Sequence, residues 1–300
     1  MSHAGPPPPP AEGSIVLPSQ SVKPGLSIRS ILLIMLLLVS VASSVVVGLI
    51  GYVNGRDSLQ DAAFDRLIEV RDSRAREVVA LFQNIENALL LSARGETVAQ
   101  ATQQFAAAFQ ELESTQLTDE ERATIESYFT DTFGPQLEEA TGSPVDASTF
   151  VPTDPAQSFL ALHYTAPFAD PADAIAVDDA GDGSAWSATH ARYHDFFRRM
   201  TQLLSFEDVL LIDSAGNVVY SAYKGVDLGS NLDSGPLQRT NLAHAYSEAM
   251  TGNVADTVVL TDFAPFPPSL GTPAAWAVTP VAVDGAIIGA LAVEMPIDQI

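Results

Sequence analysis

Cysteine is absent from all 300 residues, which excludes disulfides, thiolate metal sites and cysteine nucleophiles together. The absence leaves the compartment open, because a domain of this length can fold outside the cell without covalent cross-links. Basic residues are scarce: 14 Lys and Arg stand against 37 Asp and Glu, a formal charge of −23. The charges before Asn54 are Glu12, Lys23 and Arg29 alone, so residues 54–300 hold 36 acidic and 12 basic groups. Such a region repels nucleic acid and anionic headgroups, which argues against a phosphate-backbone partner. Hydrophobic residues make up 47% of the chain, enough for a sizeable core over a length that suits about two domains.

Residues 1–30 read as a proline-rich, solvated cytoplasmic tail. The run Pro6–Pro10 favours polyproline II and offers no packed core. Residues 31–53, ILLIMLLLVSVASSVVVGLIGYV, carry no charge and are long enough to cross a hydrocarbon core of about 30 Å as a helix. Lys23 and Arg29 precede this run and an acidic region follows, so the positive-inside bias places residues 54–300 outside the cytoplasmic membrane. A cleaved signal peptide, with small residues at 41–44, is the rival reading. The apolar run continues past that point, which favours an anchor in the bilayer.

From 57 to about 92 there is neither proline nor glycine. Leu59, Ala63, Leu67, Val70, Val78, Leu81, Ile85 and Ala88 recur at helical spacing, which predicts an amphipathic stalk over 54–113, broken at Gly95 and resumed at 97–113. Its seam could pair with a second copy, although Arg74 interrupts it, or pack on the domain's own core. Residues 114–185 read as helices and loops, opened by the capping box Thr118-Asp119-Glu120-Glu121 with a helix to about Phe133. Asp178–Gly183 resembles a calcium loop in spacing, but Ala180 and Thr189 stand where ligands belong. His190 and His194 are four apart, yet Ala191 replaces the glutamate of a zinc protease helix. Both segments therefore read as a loop and the helix 187–204.

Residues 209–212 and 218–223 are β-rich runs around the turn formers 213–217, a hairpin signal. A loop follows at 225–235, then a helix from Pro236 to about Met250 ended by Gly252, and strands at 254–263, 274–283 and 286–295 with a tight turn at Asp284-Gly285. The expected fold class is α+β: a transmembrane helix, a long stalk helix and, over 186–300, a PAS-like five-stranded antiparallel sheet with flanking helices.

The run DVLLIDSAGNVVYSAYKGVDLGSNLDSGP (208–236), with Asp262-Phe263, Pro268-Ser269 and PAAWAVTPVAVDGAIIGALAVEMPIDQI (273–300), resembles the Cache family of extracytoplasmic sensor modules. It is similar to the sensor regions of bacterial chemoreceptors and, more closely, of actinobacterial receptor-type adenylate/guanylate cyclases. The resemblance implies a membrane-anchored sensor that binds a small molecule between sheet and helices and works as a homodimer through the stalk. Chosen for aromatic faces and carboxylates on that side, the candidate ligand residues are Trp186, Tyr193, Phe197, Asp208, Tyr220, Tyr223, Asp262 and Trp276. Each aromatic taken singly reads equally well as core. The carboxylates suit a cationic or amine-bearing ligand, or serve solubility alone.

No Gly-rich phosphate loop, kinase histidine box or cyclase metal-binding carboxylate region is found in the sequence, so no catalytic residue, metal or cofactor is expected. Two other readings stand beside the sensor: the N-terminal part of a nucleotide cyclase whose catalytic half lies elsewhere, and a membrane-anchored structural or adhesion protein.

Overall fold

The computed structural model describes residues 27–168, 171–251 and 256–295, with backbone alone at 171 and 172. Most of the expected tail, the Gly252 helix end, the start of the strand expected at 254 and residues 296–300 lie outside the described residues. The chain divides into two units, Met1–Ser73 and Arg74–Ile300.

Helix α1 (Ile28–Ala93) begins in the first unit and ends in the second. The uncharged run 31–53 is its most apolar part, with every side chain exposed, and by length and composition it can cross a membrane. The uncharged run and the residues that follow it as far as Ala93 thus form one helix. Within the first unit Leu59, Leu67 and Val70 are exposed. Within the second, Leu81, Phe82, Ile85, Leu89 and Ala93 join the core, so the apolar seam there serves the domain's own packing.

Helix α2 (Glu96–Leu112) restarts after Gly95. Helix α3 (Asp119–Ser127) opens on the expected capping box: Thr118 Oγ1 accepts from Glu121 N–H while Glu121 accepts from Thr118 N–H. The helical path does not end at Phe133. It continues through a π-helical turn, Tyr128–Phe133, into α4 (Gly134–Thr141), whose second residue, Pro135, has no N–H to donate back into the preceding turn. Helices α5 (Pro155–Leu160) and α6 (Pro171–Ala176) follow, α5 capped by Asp154. Helix α7 (Ala185–Leu204), capped by Ser184, starts two residues before the expected 187.

The sheet comprises β1 (Asp208–Asp213), β2 (Val218–Ser221), β3 (Val259–Leu260), β4 (Ala264–Pro265), β5 (Pro273–Val283) and β6 (Ala286–Met295). The order is β2-β1-β6-β5-β3, with β4 also on β5, and every pairing is antiparallel. The α+β arrangement is as expected, with one more strand, the two-residue β4. The strand expected over 254–263 is reduced to β3. Helix α8 (Asn241–Thr251) starts later than Pro236 because Leu237 is buried in the core on a turn and Thr240 Oγ1 caps Ala243 N–H.

Alternation divides the core. Val209, Leu211, Val219, Ala277, Leu291 and Val293 face α2 and α7, whereas Leu210, Ile212, Val218, Trp276, Val278 and Ala292 face α8. With both faces covered, the strands read as continuous apolar runs. The register of β6 depends on Gly289, where a Cβ would lie 2.3 Å from the carbonyl oxygen of Ile212. Gly289→Ala should therefore destabilise the fold by about 1–3 kcal/mol or more, read as a clear fall in the thermal midpoint. An unchanged midpoint would contradict the close β1–β6 approach.

Candidate functional site

One rung crosses the sheet at the start of β1: Asp208 pairs with Glu294, and Glu294 with Trp276. Directly opposed residues share a face, so both carboxyls point to the α8 side, beyond the last apolar pairs. There the sheet forms part of the wall of a cleft of about 570 Å³. The loop after β2 supplies Tyr223, Lys224 and Asp227, and the connection around β4 supplies Phe266 and Ser269. The π-helical turn adds Tyr128 and Phe133, and Glu207 also lines the cleft.

Asp208 is held tightly. Its Oδ1 accepts from the N–H groups of Val209 at 2.6 Å, Ala222 at 3.0 Å and Tyr223 at 3.2 Å, and its Oδ2 from Ser221 Oγ at 2.7 Å. These bonds fix the chain where it leaves β2. Glu294 is 8% exposed and receives one bond, from Ser269 Oγ to Oε1 at 3.1 Å. Asp227 is 3% exposed. Lys224 is buried with a left-handed φ of 56°. Its ammonium donates to the carbonyls of Ala174 at 2.7 Å and Ala222 at 3.3 Å and lies 3.3 Å from His194 Nε2.

Of the eight residues expected from sequence, Asp208 and Tyr223 line the cleft. Tyr220 pairs with Leu211 and so belongs to the opposite face, where its hydroxyl meets His194 Nδ1 at 2.7 Å. Trp186 donates to the Val219 carbonyl, Tyr193 receives a bond from Gln104, and Phe197 packs 4.8 Å from Tyr220, all under α2 and α7. These four aromatics fill core. Trp276 is buried behind the cleft wall, 5.1 Å from Phe266, and Asp262 is exposed away from the cleft. The sheet stands between Tyr220 and Trp276, which belong to the cores on its opposite faces.

Sequence reasoning did not single out Glu207, Asp227 or Glu294. The signal for Glu294 was present, since it is the only charged residue in β6, and a lone carboxyl in an apolar strand must find a partner or a cavity. The aspartates of 178–183 are occupied locally: Asp179 accepts from Gly181 N–H, and Asp182 from Ser184 N–H and Ser187 Oγ. His190 and His194 stack at 4.2 Å. Among the described residues no group of three metal-capable side chains gathers.

Neither a family model nor a curated protein matches this chain. Among solved structures it is similar to the sensor domain of the histidine kinase DctB of V. cholerae, at 19% identity over 36% of this chain and 38% of that one, with a TM-score of 0.29. It is also similar to the ligand-binding domain of the Campylobacter jejuni chemoreceptor Tlp3. With 4-methylisoleucine bound, the match is 12% identical over 68% of this chain and 62% of that one, TM-score 0.27. With L-valine bound, it is 15% identical over 66% and 64%, TM-score 0.25. The chain spans less than two thirds of the length of each of these structures.

Burial raises all three inner carboxyls. Asp208 reaches about 6, its hydrogen bonds opposing the rise. Asp227 reaches about 7, with repulsion from Asp208 added, and Glu294 about 8, with repulsion from Asp208, Asp227 and Glu207 added. A carboxyl that keeps its proton when folded but loses it when unfolded favours folding at low pH, and that contribution is lost as pH rises through the folded pKa. His194, lowered to about 4, and Lys224, lowered to about 7, both chiefly by burial, act in the opposite sense. A variant isolates the carboxyl. Glu294→Gln should match the parent's thermal midpoint near the unfolded pKa of about 4.3 and exceed it by several degrees at about pH 8. A difference that does not change with pH would contradict a buried, protonated Glu294.

Proposed function

We propose that this chain is the membrane-anchored sensor portion of a signal-transduction receptor, and that the acidic cleft takes a small cationic, amine-bearing ligand. The observation that carries the reading is the carboxyl lining of the cleft. Asp208, Asp227 and Glu294 line a space of about 570 Å³ together with Glu207, while the one lysine there has its ammonium engaged by two backbone carbonyls. Buried carboxyls without a partner are costly, and an ammonium ligand would offset that cost. Tyr223, Phe133 and Phe266 offer the apolar and aromatic surface that holds the rest of such a molecule.

In this reading the uncharged part of α1 crosses the bilayer, residues 54–300 face outward, and the exposed seam of α1 pairs two copies. Differential affinity of the ligand for two arrangements of the pair then biases the membrane helix. On the resemblance of 208–236 to receptor-type cyclases, the response is cyclic-nucleotide synthesis by a cyclase region of the same receptor.

Thermal unfolding of the full chain in detergent at about pH 8.5, against primary amines, amino acids and carboxylates, tests the ligand class. An amine present at about 100 times its Kd should stabilise by roughly 2.7 kcal/mol, and carboxylates should not stabilise. Stabilisation by carboxylates, or by no amine, would overturn the reading.

A further inference from the structure

We infer that Glu294 is the ligand-capturing carboxyl of the cleft and that it binds an organic ammonium by exchanging a proton for it. The inference rests on the proposed reading of the cleft as a ligand site and adds the residue, the ligand chemistry and the linkage to pH.

Asp208 and Glu294 are direct partners on adjacent antiparallel strands, which sets their Cβ atoms about 4.5–5.5 Å apart, and like charges so opposed are destabilising. Without a ligand, the pair therefore holds either a proton on one of them or a cation between them. The hydrogen bonds decide which carboxyl carries the proton. Asp208 accepts three backbone N–H groups and a hydroxyl, all of which favour its ionised form. Glu294 has a single donor, Ser269 Oγ on Oε1. Its Oε2 has no partner among the described residues, though the residue is more than nine-tenths buried and lines the cleft. That oxygen is where a ligand N–H would arrive.

The groups around Glu294 come from several elements. Asp208 faces it from β1, Asp227 and Tyr223 stand on the loop after β2, Glu207 precedes β1, Tyr128 comes from the π-helical turn, and Lys224 is tied to the Ala174 and Ala222 carbonyls. No cation in the cleft is free to pair with Glu294 among the described residues. Burial and repulsion from Asp208 accordingly hold its carboxyl at about 8.

The exchange forms no covalent bond. A ligand R–NH3+ enters, the Glu294 carboxyl releases its proton to solvent, and the carboxylate accepts from the ammonium. A carboxylate on the ligand's α-carbon would be driven against Asp208 and Asp227, so the ligand class is an amine with an apolar or aromatic substituent and no adjacent carboxylate, rather than a free amino acid.

The full chain in lipid nanodiscs, titrated with ethylammonium chloride against sodium chloride at equal ionic strength from about pH 5 to about pH 9, tests the exchange. Thermal midpoint and the infrared band of protonated carboxyl are followed. Release of one proton per cation predicts an affinity that rises about tenfold per pH unit up to about pH 8 and then levels, with loss of the carboxyl band as the probe saturates. Glu294→Gln, folded like the parent at about pH 5, should remove the rise between about pH 7 and about pH 8, where Glu294 is the inner carboxyl still titrating, and weaken binding at about pH 8.5 at least tenfold. Ethylammonium binding that is independent of pH, or unchanged in Glu294→Gln, would overturn the exchange and leave the amine reading of the cleft in place. No difference between ethylammonium and sodium at any pH would overturn both.

Discussion

Two carboxyls face each other across neighbouring strands, Asp208 on β1 and Glu294 on β6, and much of the second unit is arranged around that pairing. Asp208 gathers the end of β2 through Ser221, Ala222 and Tyr223. That clasp turns the chain out of the sheet and starts the loop that carries Lys224 and Asp227. The same contacts satisfy Asp208 and leave its partner almost bare, so the electrostatic cost of the pair falls on Glu294. A core position with this chemistry would be replaced by an apolar side chain at little loss. Here it stands on a cleft wall.

The sheet separates two kinds of interior. On the α2 and α7 side, Phe105, Trp186, His190, Phe197 and Tyr220 pack ring against ring, with His194 bonded to Tyr220 and the Ile175 carbonyl. On the α8 side, the apolar core gives way at the Asp208–Glu294 rung to the cleft. Lys224 links the two, lining the cleft while its ammonium approaches His194 on α7.

Much of the fold was legible in the sequence because its signals are local. The uncharged run of α1, the Gly95 break, the Thr118 capping box and the Asp284-Gly285 turn, with both residues at positive φ, each follow from a few adjacent residues. The continuation of α3 into α4 was not legible, since a π-helical turn leaves no periodic mark. Nor was the face of each strand residue. Where both sides of a sheet are covered, alternation disappears, and Tyr220 and Trp276 look alike although they point opposite ways. The aromatics of α7 therefore looked as available as Tyr223. Asp208 could be found as a carboxyl beside a strand. Glu294 and Asp227 needed the pairing of β1 with β6 and the course of the loop, both of which are long-range.

Without ligand, Glu294 holds a proton against the charge of Asp208 in the proposed reading of the cleft. Carbon-13 labelling of the glutamate side-chain carboxyls in the full chain, with the Glu294 signal identified by its absence in Glu294→Gln, reads that proton directly. The expected result is titration of this carboxyl at about 8. Titration near the ordinary glutamate value of about 4.3 would contradict it.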